Sequence, residues 1–179
     1  MLHHIDLAFR ERLTPRTATK YIVIHHTKVK GRHDVREIHQ WHLNRETKGQ
    51  KWAGIAYHYY INKDGEIFTG RPRNTIGAHT NGYNSVSVGV CFEGDFDEEK
   101  MSEKQLEASV MLISALSLGY HNAAIRGHRN FNAAKTCPGR LFPMKELLSR
   151  IQVQKKRFIR LYGDPKIVDY GFLLKGLDQ

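Results

Sequence analysis

Cysteine is scarce in this sequence, and long apolar runs are missing. The 179 residues include two cysteines, Cys91 and Cys137, which could pair but are too few for a disulfide framework, so free thiols are favoured. No apolar run reaches the roughly 18 to 20 residues that a transmembrane helix needs, so we expect no membrane partner. Charges at Asp6, Arg10 and Glu11 interrupt the N-terminal stretch, which predicts synthesis in the cytoplasm without a Sec-type signal peptide.

Acidic residues are also few compared with basic ones. The chain has 28 Lys and Arg against 18 Asp and Glu, a net charge of +10 that implies attraction to a polyanion. Nucleic acid, anionic lipid and an acidic cell wall all qualify. With 40% hydrophobic and 26% charged residues, the composition is that of an ordinary globular protein. The length suits one catalytic domain, which we expect to be a monomer.

Composition and periodicity divide the chain into three parts. Residues 1–20 lack periodicity and are predicted to be a lead-in segment, and residues 21–151 form the predicted catalytic domain. Residues 152–179 open on the basic run Lys155, Lys156, Arg157 and are expected to dock on the domain as an extension, since they are too short to fold alone.

Within the domain, strand and helix patterns are mixed along the chain, which predicts an α/β fold. Ser102 and Gln105 form a capping-box pattern that begins the clearest helix, and Pro143 is typical of the first turn of another. The predicted strands cover residues 21–27, 55–62, 66–69 and 86–92, and the predicted helices cover residues 34–45, 102–118 and a stretch from 143 onwards.

Histidines and a cysteine in three places indicate a metal site. His25 and His26 end an apolar strand, His128 lies in RGHR, and Cys137 follows in TCPG. Two imidazoles and a thiolate make a good zinc set, with a fourth position open for water. Because strand residues alternate faces, one of His25 and His26 should be a ligand and the other a support. Spacing alone also allows unrelated core and surface roles for these residues.

Four ordered segments carry a resemblance to a known family. The chain resembles the zinc amidase family that contains phage T7 lysozyme and the animal peptidoglycan recognition proteins, and the shared segments are YIVIHHT, AGIAYHYYINKDGEIFTGR, IGAHTNGYNSVSVGVCFEG and GHRNFNAAKTCPG. The resemblance implies a single domain with a central mixed β-sheet flanked by α-helices. It also implies an N-acetylmuramoyl-L-alanine amidase, with Zn²⁺ held by His25, His128 and Cys137 and with His26 as the support.

The resemblance further implies roles for residues around the metal. Tyr57 and Lys135 fall on the catalytic positions of the family, where the hydroxyl can donate to an oxyanion or relay a proton and the ammonium can neutralise charge. His79 falls on a histidine near the substrate cleft and is expected to hydrogen-bond the glycan or peptide, with stabilisation of its loop as the alternative. Asn84 either contacts substrate or fixes the turn after Gly82. The interval from His128 to Cys137 is one residue longer than expected for the family, so the loop at residues 130–134 should bulge.

Several functions remain open at the level of sequence. The favoured one is a lytic endolysin that is released to the cell wall with the help of a partner such as a holin and adheres to polyanionic peptidoglycan. The alternatives are a binding-only recognition module, against which the retained Cys137 argues, and a cytoplasmic amidase that recycles wall fragments. A nucleic-acid-binding protein is disfavoured, because no helix-turn-helix, zinc-finger or RNA-recognition motif is present.

Overall fold

A six-stranded mixed sheet forms the centre of the molecule in the computed structural model, which describes residues 1–121, 123–165 and 168–175. Its strands are β1 (Leu2–His3), β2 (Tyr21–His26), β5 (Tyr59–Ile61), β6 (Ile67–Thr69), β7 (Ser87–Phe92) and β8 (Ala124–Gly127), and a separate hairpin is formed by β3 (Glu46–Thr47) and β4 (Gln50–Lys51). The order is β1-β6-β5-β7-β2-β8, and only the β5–β6 pair of this sheet is antiparallel. The expected α/β fold with a central mixed sheet is confirmed.

Helices cover both faces of this sheet. They are α1 (Val35–Leu43), α2 (Glu103–Gly119), α3 (Met144–Tyr162) and the short α4 (Gly171–Lys175). On one face α2 and α3 pack on the main core, to which β7 contributes Val90 and Phe92. On the other face α1 packs on a smaller cluster that contains Cys91. Burial on both faces explains why β2 and β7 are apolar without alternation. Among the described helices, none combines the length and the apolar character needed to cross a membrane.

Side chains cap the first turns of α1 and α2. Asp34 caps α1 in a complete capping box with Glu37. Ser102 caps α2 by accepting a hydrogen bond from the backbone N of Gln105 at 3.1 Å. The reciprocal half predicted for Gln105 is wrong, because its buried side-chain amide donates to the carbonyls of Ile61 and Glu93 instead. Gln105 therefore joins α2 to the ends of β5 and β7.

Three strands of the central sheet differ from the sequence expectation. The strand predicted over residues 55–62 is confined to Tyr59–Ile61, because the carbonyls of Ala56 and Tyr57 accept hydrogen bonds from loop residues Ala78 and Arg71. The short strands β1 and β8 have too few residues to show a period of two, and neither was predicted. Residues 1–20, expected as a lead-in, thus add β1 to the edge of the sheet beside β6.

The C-terminal part of the chain packs against the helices. Helix α3 continues beyond residue 151, the expected end of the domain, as far as Tyr162. Beyond it, the buried ring of Tyr170 packs with Leu118 of α2 and Phe158 of α3. Its hydroxyl donates to the Gly163 carbonyl at 2.6 Å. The basic run of residues 155–157 therefore belongs to a helix that spans the predicted boundary.

Two buried histidines make the stability of this fold sensitive to acid. Burial, together with the charge of Arg16, lowers the pKa of His58 to about 3, and burial lowers the pKa of His42 to about 4. In neutral His58, Nδ1 accepts from the Gly89 backbone at 2.9 Å and Nε2 donates to the Thr75 carbonyl at 2.9 Å. Protonation would break the bond from Gly89.

We expect the free energy of unfolding to fall as the pH drops below about 6.5. The unfolded chain then binds more protons than the folded one. Between pH 7 and pH 5, each of these two histidines should lower the free energy of unfolding by about 2 kcal/mol. Urea unfolding at pH 7 and pH 5, in chelator throughout, measures the loss. The His58→Gln variant should lose less over this interval than the wild type. An equal loss in both proteins would contradict the assignment to His58.

Candidate metal centre and active site

Strand β2 delivers two adjacent histidines to opposite faces of the sheet. His25 points to the face of α1, where its ring lies 5.2 Å from the ring of Tyr57. His26 points to the face of α2, where its ring stacks on Phe96 and its Nδ1 accepts from the Phe96 backbone N at 3.2 Å. The alternation of a strand therefore separates a candidate ligand from a supporting residue, as the sequence predicted.

The three predicted ligands converge at the carboxyl end of β2. One donor atom from each of His25, His128 and Cys137 lies within 4.8 Å of the others. His25 Nδ1 is 3.7 Å from Cys137 Sγ, and the rings of His25 and His128 are 4.7 Å apart. His128 begins a 3₁₀ turn directly after β8, which runs parallel to β2. Two imidazoles and one thiol in this arrangement can hold a zinc ion with one position open.

Burial sets the protonation of these groups. Burial holds the pKa of His25 well below its ordinary value, and the neighbouring His128 lowers it further. Burial also lowers the pKa of His128, and the positive charge of Lys135 adds to this effect. Both rings are thus neutral near pH 7, the form that binds a metal. Burial raises the pKa of Cys137 to about 11, although a hydrogen bond from the His26 backbone lowers it. A bound cation would favour the thiolate and offset that burial.

His79 lies behind His25 and is itself buried. Its Nδ1 is 3.0 Å from His25 Nε2, the ring nitrogen that faces away from Cys137. Glycines make room for it, because a Cβ on Gly77 or Gly89 would lie 2.4 or 2.6 Å from its ring. The sequence assigned His79 to substrate. Its position supports a different role, namely to accept the His25 Nε2–H and so to keep Nδ1 free for a metal.

Asn84 stabilises the turn that carries His79. Its Oδ1 accepts from the backbone N of His79 and of Thr80, both at 2.8 Å. Of the two roles that the sequence left open for Asn84, these bonds favour the turn over substrate contact.

The two predicted catalytic residues lie beside the candidate ligands. Burial, followed by the nearby thiols of Cys91 and Cys137, holds the pKa of Tyr57 well above its ordinary value, so its hydroxyl stays protonated and can donate. Lys135 is exposed and lies two residues before Cys137, and its charge contributes to lowering the pKa of His128. Its backbone N donates to the Asn132 carbonyl at 3.0 Å. Residues 132–134, where the sequence predicts a bulge, are exposed.

Sequence reasoning missed the residues that connect these side chains. Asp97 contacts the loop of Cys137, and Arg129 donates its backbone N to the Cys137 carbonyl at 2.8 Å. Neither residue lies in a pattern that predicts such contacts. For Asp97, the partners are about forty positions away in the chain.

Comparison with known proteins identifies relatives over most of the chain. A sequence model of the family N-acetylmuramoyl-L-alanine amidase matches residues 15–140. The endolysin of Klebsiella phage KP32 is 37% identical over 134 residues, which cover 71% of this chain and 85% of that protein. The endolysin of Escherichia phage T7 is 33% identical over 136 residues, covering 72% and 86% respectively.

A solved structure shows the same fold. N-acetylmuramoyl-L-alanine amidase LysC from Clostridium intestinale URNW superimposes with a TM-score of 0.77 at 30% identity. The match covers 85% of this chain and 97% of that one, so the similarity extends well beyond the candidate site.

The position of His79 leads to a prediction about metal affinity. His79→Ala should weaken Zn²⁺ binding by about 10- to 100-fold, because His25 loses the acceptor that fixes its tautomer. His79→Asn, whose amide oxygen can replace Nδ1 as an acceptor, should recover most of the loss. Chelator competition measures both affinities, with the exposed His4→Ala as control. Unchanged affinity in His79→Ala would instead leave His79 a role at the substrate.

Proposed function

Since this chain belongs to the N-acetylmuramoyl-L-alanine amidase family, we propose that His25, His128 and Cys137 hold a zinc ion at its active centre. The chain is a lytic amidase of the phage endolysin type, which hydrolyses the amide bond between muramic acid and L-alanine in peptidoglycan. The observation that carries the zinc proposal is the convergence of three donor atoms, with His25 Nε2 already bonded to His79.

The chemistry of the donor set suits amide hydrolysis. A zinc ion held there would supply Lewis acidity, which lowers the pKa of water to about 7 and polarises a carbonyl. His25 and His128 are neutral near pH 7, so they bind without first losing a proton. The hydrogen bond from His79 keeps Nδ1 of His25 available as the donor atom.

Tyr57 and Lys135 would act on the substrate. The Tyr57 hydroxyl, protonated near pH 7, can donate a hydrogen bond to the negative charge that develops on the carbonyl oxygen, or relay a proton. The Lys135 ammonium lies on the exposed loop before Cys137, where it can neutralise charge and assist departure of the L-alanine amine. We propose that both residues are catalytic.

The surroundings of the site bear on the alternatives. A binding-only module needs no thiol ligand, whereas here Cys137 lies with both histidines. A recycling amidase for soluble fragments needs no affinity for a polyanion, whereas a charge of +10 suits adhesion to an acidic wall. We therefore propose action on the intact wall as a monomer, after release through a holin-type partner and without a nucleic-acid ligand.

Digestion of purified peptidoglycan tests this function. New free L-alanine amino termini, detected by mass spectrometry, should form with the Zn²⁺-loaded protein and disappear with chelator. Cys137→Ser should bind Zn²⁺ far more weakly and lose the activity, whereas Cys91→Ser, which alters a buried thiol outside the donor set, should keep its metal. New reducing sugars in place of amino termini would overturn the amidase assignment.

Tyr57→Phe separates catalysis from metal binding. In other enzymes, removing one hydrogen-bond donor to an oxyanion raises the activation free energy by about 2.7 to 4 kcal/mol. For Tyr57→Phe, kcat should therefore fall on the order of 10²- to 10³-fold, with the zinc content unchanged. Steady-state kinetics together with metal analysis provide the readout, and Tyr162→Phe, on the remote end of α3, is the control. A variant that kept wild-type kcat would remove Tyr57 from the mechanism.

A further inference from the structure

The segment after β7 is hydrogen-bonded to the loop that carries Cys137. Asp97 Oδ2 accepts from the Thr136 hydroxyl at 2.6 Å, and its Oδ1 accepts from the Arg140 backbone N at 2.9 Å. The Phe96 carbonyl accepts from the Leu141 backbone N at 2.7 Å. The Asp97 carboxylate thus bonds one residue on the N-terminal side of Cys137 and another on its C-terminal side.

The same segment is joined to the strand that carries His25. The backbone N of Phe96 donates to His26 Nδ1 at 3.2 Å, and His26 is the residue after His25. Two hydrogen bonds and short stretches of backbone therefore connect His25 to Cys137 through Phe96 and Asp97.

A second path reaches the third ligand. Arg129, the residue after His128, donates its backbone N to the Cys137 carbonyl at 2.8 Å and its guanidinium to the Gly139 carbonyl at 3.0 Å. The loop of Cys137 is thereby tied to the loop of His128 as well. In contrast, residues 132–136 are exposed on the surface. The Thr136 carbonyl accepts from the Gly139 backbone N at 2.8 Å and from the Arg129 guanidinium at 3.4 Å, whereas the Thr136 hydroxyl donates to Asp97.

We propose that Asp97 is a positioning residue that holds the Cys137 sulfur within reach of the metal bound by His25 and His128. This inference rests on the proposed zinc site. Hydrogen bonds to an ionised carboxylate are stronger than hydrogen bonds to a neutral acceptor. The two bonds that the Asp97 carboxylate accepts therefore suit it to fix an exposed loop. The hydrogen bond from Thr136 lowers the pKa of Asp97 below its ordinary value, so the carboxylate stays ionised near pH 7.

A second metal site at Asp97 is a weaker explanation of the same contacts. His26, Asp95 and Asp97 have donor atoms within 4.8 Å of one another. However, His26 Nδ1 already accepts from Phe96, and both Asp97 oxygens accept from the cysteine loop. These atoms are occupied by the protein itself.

The two cations beside Asp97 supply matched controls. Lys28 Nζ lies 3.6 Å and Arg140 Nε 3.5 Å from the carboxylate, on side chains that are 62% and 74% exposed, whereas the Asp97 side chain is 8% exposed. Because solvent reaches both cations, each pair should contribute less than the hydrogen bonds do. Removing either side chain leaves the hydrogen bonds from the Thr136 hydroxyl and the Arg140 backbone intact.

Zn²⁺ affinity, measured by chelator competition, tests the proposal. Asp97→Ala should weaken binding by about 10- to 100-fold, as loss of supporting residues does at other metal sites, and Thr136→Val should cause a smaller loss. Lys28→Ala and Arg140→Ala should bind as the wild type does. With Co²⁺ in place of zinc, the thiolate charge-transfer absorption should weaken in Asp97→Ala, which reports directly on Cys137.

Two further measurements separate positioning from a loss of fold. The melting temperature of the metal-free Thr136→Val protein should match that of the wild type, so a weaker affinity there reflects the site. In a Cys137→Ser background, Asp97→Ala should not weaken the residual affinity further. Wild-type affinity in Asp97→Ala, or an equal loss in the two control variants, would overturn the proposal. Failure of the wild type to bind zinc would instead overturn the proposed function.

Discussion

Parallel pairing of β2 with β7 and β8 is the constraint on which the site depends. Parallel neighbours bring the carboxyl ends of all three strands to one edge of the sheet. β2 ends in His25 and His26, β8 leads directly into His128, and β7 leads into Phe96 and Asp97. Residues far apart in the chain therefore meet because three strands point the same way, which is the usual location of sites in such sheets.

The second physical theme is that hydrogen bonds within the protein hold the site. His25 is fixed by His79, and the loop of Cys137 by Asp97 and Arg129. Each buried polar atom that is satisfied in this way avoids the free-energy cost of an unpaired group. These bonds hold the side chains in an arrangement that suits a metal.

Much of this arrangement could be read from the sequence, although by different routes. Strand alternation alone separated His25 from His26, and the capping residue Ser102 located the start of α2. The ligand set and the placement of Tyr57 came from the family resemblance, because ordered segments restrict which distant residues can meet. Contacts between side chains and distant backbone could not be predicted: Gln105 bonding to β5 and β7 and Asp97 bonding to the cysteine loop have no local pattern. Strands of two to four residues, such as β1 and β8, likewise carry too little periodicity.

Two glycines beside the His79 ring restrict which residues the sequence can carry at their positions. Gly77 and Gly89 are not candidate ligands, yet a side chain at either position would collide with the His79 ring and displace it. A substitution at either glycine would thus disturb the proposed metal site from a distance. The contribution of these two positions to that site is the absence of a side chain.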